Sequence, residues 1–252
     1  GILAATAAVR TSPAMVRCIA DHIIACLPEV VLHRDLESAG RTQCYVVGPG
    51  RGTDAAAQAE LEALLRQPLP LVIDADAITL LATHEHLREL LRGHPLAVLT
   101  PHEGEFARLY EATFGKDLDL SSGKAAPLQE LATALGCIVL LKGRNTLVTA
   151  PGQPIYAYNA GHSYAATPGS GDVLAGILGA VLAQMHLDEQ LQEKADFDLQ
   201  EALITEVLHA GAIHAHAAAI AAQTPEGYAI CSASQIAGAI PQAIAKLLRM
   251  AR

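Results

Sequence analysis

The sequence predicts an α/β fold, a central and mostly parallel sheet with helices on both faces. Short apolar runs of strand length alternate with helix-length stretches as far as residue 158, the pattern of strands joined by right-handed crossovers. Four of those runs end in turns that carry Gly, Asp, His or Lys, and ligands of open α/β sheets bind at such carboxyl ends. Aromatic residues make up only 4% of the chain, with no Trp, against 51% hydrophobic residues rich in Ala and Leu, which suits helices packed on small β-branched strands.

In chain order, the Ala-rich run 2–9 lacks the basic segment of a secretion signal and reads as a strand. A helix is expected over 13–26. Strand 45–48 ends in Gly48-Pro49-Gly50-Arg51-Gly52, which either brings backbone close to a ligand or simply turns into a helix over 53–66. Strand 71–74 ends in Asp74-Ala75-Asp76 before a helix over 77–91. Those carboxylates suit water-mediated Mg²⁺ binding, or a helix cap, and no firm metal ligand is assigned. Strand 97–100 exits through Pro101 and His102 into a helix over 103–111, where Glu103 and Glu105 favour the first turn. The polar stretch 111–127 reads as a mobile loop, followed by a helix over 128–135. Strands 138–141 and 146–149 flank Lys142-Gly143-Arg144-Asn145-Thr146, whose spacing also fits a plain hairpin turn. After strand 155–158, long helices over 170–187, 200–222 and 233–249 are expected to cover the sheet. No repeat or linker divides the chain, so one domain over 1–252 is expected.

Net charge is −9 and the 17 Lys and Arg residues form no basic run, which argues against a nucleic-acid partner. No apolar run reaches the roughly 18 residues of a membrane span, the longest being Val173 to Ala183. Five cysteines, Cys18, Cys26, Cys44, Cys137 and Cys231, show neither a CxxC pair nor zinc spacing, and their odd number points to a reducing cytoplasm. His209, His214 and His216 lack the spacing of a metal pair and are read as surface or packing residues.

Thr167-Pro168-Gly169-Ser170-Gly171-Asp172 opens the first of the long helices. Unpaired amides and the positive end of the helix dipole make such a start an anion hole. Asp172 beside it is a candidate base for phosphoryl transfer to an alcohol. An Asp-capped helix after a glycine turn is the plainer reading.

Gly-Pro-Gly-x-Gly, Asp-Ala-Asp-Ala, Thr-Pro-His-x-Gly-Glu, Lys-Gly-x-x-Thr and Gly-Ser-Gly-Asp stand here in one order. Together with the helix start Ser232-Ala233-Ser234-Gln235-Ile236, this chain resembles the ADP/ATP-dependent NAD(P)H-hydrate dehydratases of the ribokinase-like superfamily, from residue 1 to about 248. The resemblance implies that a nucleotide phosphorylates the C6 hydroxyl of the S epimer of hydrated NADH or NADPH and that phosphate then leaves. It assigns Asp172 as catalytic base, and Gly50 or Gly52, His102 and Asp172 as substrate contacts. Nucleotide contacts implied are Lys142, Gly143, Arg144, Asn145, Thr146, Asn159, Gly169, Ser170 and Gly171, with Asn159 and Gly161 shaping the loop. It further implies ADP or ATP as co-substrate, Mg²⁺, homo-oligomers, a separate or fused NAD(P)H-hydrate epimerase, and a strand and helix preceding this sequence. Two departures stand out: Arg51 where the family is apolar, and Pro168 where it has Gly. A small-molecule kinase of the same superfamily, or a nucleotide-binding subunit without activity, remains as an alternative; His102 in its motif favours the dehydratase.

Overall fold

Successive residues of the central strands are buried on opposite faces, which sets the layers of the molecule. In the computed structural model, which describes residues 1–12, 14–19, 27–120, 123–158, 166–185 and 199–251, β4 (Leu71–Ile73), β5 (Ala97–Leu99) and β6 (Ile138–Leu141) are buried throughout. Leu71, Ile73, Ala97, Leu99, Val139 and Leu141 enter one core, and Val72, Val98, Ile138 and Leu140 the other. The first core is covered by α2 (Ala55–Leu65), α3 (Asp76–Thr83), α4 (Glu85–Arg92), α5 (Glu103–Phe114) and α6 (Ala125–Leu135). The second is covered by α1 (Ile2–Thr11), α7 (Ser170–Leu182), α8 (Leu199–Ala222) and α9 (Ala233–Met250).

The main sheet runs β3 (Tyr45–Val47), β4, β5, β6, β7 (Thr146–Thr149) and β8 (Tyr156–Tyr158). From β3 to β6 it is parallel, and from β6 to β8 antiparallel. The carboxyl ends of β3, β4, β5 and β6 therefore share one edge. A separate parallel pair joins β1 (Arg17–Ile19) to β2 (Val31–His33), and a short antiparallel pair joins β9 (Gln223–Thr224) to β10 (Gly227–Tyr228).

Four expectations need correction. Residues 2–9 are helical, because alanine is the strongest helix former and the buried Ala4, Ala5 and Ala7 lie in α1. Gly176 of α7 lets the two helices close, since a Cβ there would lie 2.1 Å from the Ala4 carbonyl oxygen. Residues 17–19, expected within a helix, pair instead with Val31–His33; the rest of that expected helix falls partly outside the described residues. The helix expected over 77–91 is two, broken where His84 is extended at φ −128° and ψ 108°. There Thr83 Oγ1 donates to the Thr79 and Leu80 carbonyls, the local competition that frays helices at Thr. The stretch 111–127 is helical at both ends, in α5 and α6.

By length and composition α8 resembles a membrane span. Its Leu203, Ile204, Val207, Ala210 and Ala217 are instead buried in the core shared with α7 and α9.

Candidate active site

The shared sheet edge brings together the ends of β4, β5 and β6. Lys142, just past β6, donates from Nζ to Asp74 Oδ1 at 2.7 Å. Asp74 is fully enclosed, its side chain 2% exposed against 20% for Lys142. A Cβ on Gly171 would lie 3.1 Å from the Lys142 Nζ, so the ammonium sits against the start of α7. Glu105 Oε2 lies 4.0 Å from it on the other side.

Asp74 is aimed by an unusual backbone. Ala75 adopts φ +48° and ψ −118°, a strained conformation for a residue with a Cβ. It separates two carboxylates with different partners: Asp74 faces Lys142, while Asp76 Oδ2 accepts from the Gly52 amide at 2.8 Å. Gly48 packs directly on this turn, because a Cβ there would lie 1.8 Å from the Asp74 carbonyl oxygen. Gly50 lines a cavity of about 600 Å³ between α1, β1 and β3. Arg51 is held by Glu60 and lies 3.8 Å from Asp54.

His102 caps α5. Its Nδ1 accepts from the amides of Gly104 and Glu105 at 3.0 and 3.3 Å, and Glu105 Oε2 accepts in return from the His102 amide at 2.8 Å. This is a capping box with histidine in place of Ser or Thr. With Nδ1 an acceptor, Nε2 carries the proton of the neutral ring, 3.5 Å from Glu105 Oε1. The imidazole remains 56% exposed, open to a ligand as well. The backbone of His102 is bridged to Lys142, and the Lys142 amide donates to the Pro101 carbonyl at 2.8 Å.

Gly143, Arg144 and Asn145 form the turn between β6 and β7, with Thr146 Oγ1 reaching the Gly143 carbonyl at 3.4 Å. The Lys124–Glu103 ion pair lies alongside, 3.9 and 3.6 Å from a Cβ placed on Gly143. Hairpin turn and ligand loop are compatible readings of this segment.

The start of α7 is a built turn. The Ser170 amide donates to the Thr167 carbonyl at 3.1 Å, and Gly169 has φ +86° and ψ −5°. Glycine with positive φ at the third position is what a type II turn requires, and proline is favoured at the second. Pro168 thus fits the loop without removing a bond the turn uses. Because Thr167 engages the Ser170 amide and the Asp172 amide meets its own carboxylate, Gly169 and Gly171 supply the first-turn amides that remain. Burial pushes the Asp172 carboxyl above the usual range, with the Asp74 charge adding to the rise and Lys142 opposing it. Asn159 and Gly161 lie outside the described residues.

The model of the NAD(P)H-hydrate dehydratase family matches residues 1–242. The chain belongs to that family. A bifunctional NAD(P)H-hydrate repair enzyme of Corynebacterium glutamicum is 44% identical over 98% of this chain, which spans 44% of that protein's length. A Mycobacterium leprae protein of the same name is 39% identical over 98% of this chain and 48% of its own length. The chain therefore spans about half of these relatives. An ADP-dependent (S)-NAD(P)H-hydrate dehydratase of Neisseria meningitidis is 39% identical over 64% of the chain and 55% of its own. Among solved structures, the ADP/ATP-dependent NAD(P)H-hydrate dehydratase of Bacillus subtilis, co-crystallised with ATP and Mg²⁺, superposes with a TM-score of 0.72 at 21% identity, covering 97% of this chain and 83% of its own. A ribokinase-like superfamily protein of Enterococcus faecalis gives 0.74 at 24% identity over 97% and 81%. The fold of this dehydratase-family chain is ribokinase-like.

Two features of the site escape the sequence, and a third is legible but was not drawn from it. The Asp74–Lys142 pair joins positions 68 residues apart. The role of Glu105 as a cap partner does have a local signal, because it stands three residues after His102 as a capping box demands. His214 meets Ser170 only through the packing of α8 on α7, and nothing in its neighbourhood along the chain announces this.

Proposed function

We propose that this chain carries out the nucleotide-dependent dehydration of the S epimer of hydrated NADH or NADPH, returning the reduced dinucleotide. The observation that carries the reading is Asp172 with its raised carboxyl at an anion-binding helix start, beside the Asp74–Lys142 pair. Family membership and the names of the relatives support the substrate class.

In this reading Asp172 accepts the proton of the C6 hydroxyl as that oxygen attacks the terminal phosphoryl group of ADP or ATP. The amides of Gly169 and Gly171, with the ammonium of Lys142, meet the charge of the transferring group. Residues Gly143 to Thr146 hold the nucleotide, and the exposed edge of His102 and the Gly50–Gly52 turn face the nicotinamide end. The C6–O bond then breaks with phosphate as leaving group, and loss of a proton from C5 restores the ring double bond. Phosphate leaves far more readily than hydroxide, which is why a dehydration consumes a nucleotide.

Mg²⁺ has no protein cage among the described residues, where no group of three or more His, Cys, Asp or Glu side chains is arranged for a metal. Asp74 and Asp76 are committed to Lys142 and Gly52. Any Mg²⁺ would enter with the nucleotide phosphates, and no step here is assigned to it. The word bifunctional in the names of two relatives supports an NAD(P)H-hydrate epimerase as partner, fused or separate.

The test is recovery of the near-ultraviolet absorbance of the dihydronicotinamide when the protein meets hydrated NADH, Mg²⁺ and ADP or ATP. Recovery that requires nucleotide supports the reading. Nucleotide consumption that leaves a stable phosphorylated product identifies a kinase instead.

A further inference from the structure

Both oxygens of Ser170 are contacted from behind the anion-binding turn by one side chain. His214 of α8 places Nε2 3.0 Å from Ser170 Oγ and 3.0 Å from the Ser170 carbonyl oxygen. A carbonyl oxygen only accepts, so Nε2 must carry the ring proton. With Nε2–H shared between the two oxygens, the hydroxyl proton of Ser170 is not used on His214 and is available to an outside acceptor. The Ser170 amide is held as well, by Thr167. Every polar group of this residue except that proton is fixed.

We propose that His214 is a positioning residue of the anion-binding turn, which holds Ser170 so that its hydroxyl donates to a nucleotide phosphate. The placement of α8 supports it. Gly211, one turn before His214, packs against Tyr158, where a Cβ would lie 2.2 Å from the phenolic oxygen. That close approach seats α8 on the sheet and fixes the distance from His214 to α7. Burial lowers the imidazole to about 4, with the charge of Lys142 also acting on it. His214 is therefore a neutral donor near the site and not a cation competing with Lys142.

The proposal rests on the nucleotide-dependent reading above, and its test separates the two. Ser170→Ala, His214→Leu, His214→Gln and the Ala/Leu double variant are compared by kcat and KM with hydrated NADH, by ADP affinity in calorimetry, and by melting temperature. Glutamine carries an amide N–H close to the place of the imidazole Nε2. Loss of one hydrogen bond to phosphate predicts about a tenfold fall in kcat/KM for ADP in Ser170→Ala and in His214→Leu. The double variant should fall no further than either single one, and His214→Gln should recover most of the loss. Losses that multiply in the double variant, a His214→Gln variant as impaired as His214→Leu, or a His214→Leu variant that melts earlier with kcat/KM intact would each overturn the proposal. If the wild type binds ADP without repairing hydrated NADH, the dehydratase reading fails, and the same comparison of ADP affinities decides the role of His214. If the wild type binds neither ADP nor ATP, both fall.

Discussion

Lys142 and Asp74 form an ion pair of 2.7 Å in which the carboxylate is almost wholly enclosed and the ammonium is not. The asymmetry sets what each partner costs to remove.

Lys142→Met leaves Asp74 charged in the interior with its cation gone, and should destabilise by about 3 kcal/mol in urea unfolding. Asp74→Asn leaves Lys142 with access to water and should cost less, about 1–2 kcal/mol. Both should raise the KM for nucleotide. Equal costs for the two would show that exposure does not govern the pair.

Asp172→Asn removes the base while leaving the amides of the turn in place. Turnover should fall by about 10²- to 10⁴-fold with ADP affinity retained. Since burial raises the carboxyl, the folded chain prefers it protonated. That contribution to stability is present in acid and lost as the pH rises through the folded value. The Asn variant should therefore melt above wild type at neutral pH, with the gap closing in acid, as a calorimetric pH series would reveal.

For His214 the sign is reversed. Its folded value of about 4 lies below the ordinary 6.5, so its contribution is present above pH 6.5 and is lost as the pH falls towards 4. His214→Gln should flatten the decline in melting temperature across that window. A decline unchanged in the variant would assign acid lability to other groups.

Ala75→Gly should stabilise the fold. Relief of a backbone strained at φ +48° outweighs the added freedom of glycine in the unfolded chain, for a net gain of about 0.5–1 kcal/mol. A rise of about 2 °C in melting temperature is expected, readable by scanning calorimetry. If the strain also aims Asp74, nucleotide KM should rise in the same variant.

The strands that bury both faces were legible because continuous apolar runs such as Leu71-Val72-Ile73 fit little else, and their ends gave the site edge directly. Helix against strand was misjudged at residues 2–9, where alanines fill both kinds of apolar run and only packing on α7 decides. Pro168 stood out in the sequence only as a departure from the family pattern, because the turn that makes its N–H unnecessary is closed by a backbone bond from Ser170 to Thr167 that residue types alone do not display. The partners of Asp74 and Ser170 arise from contacts between distant segments, which local pattern does not encode.

The Pro168–Gly169 turn also bears on how quickly the site fills. A loop of several flexible glycines surrenders about 1–2 kcal/mol of conformational freedom per residue when a ligand orders it. Here that ordering has been completed during folding, with proline limiting the backbone and Thr167 closing the ring onto Ser170. Nucleotide should therefore associate in a single phase whose rate rises linearly with concentration, with no slow isomerisation of the loop behind it.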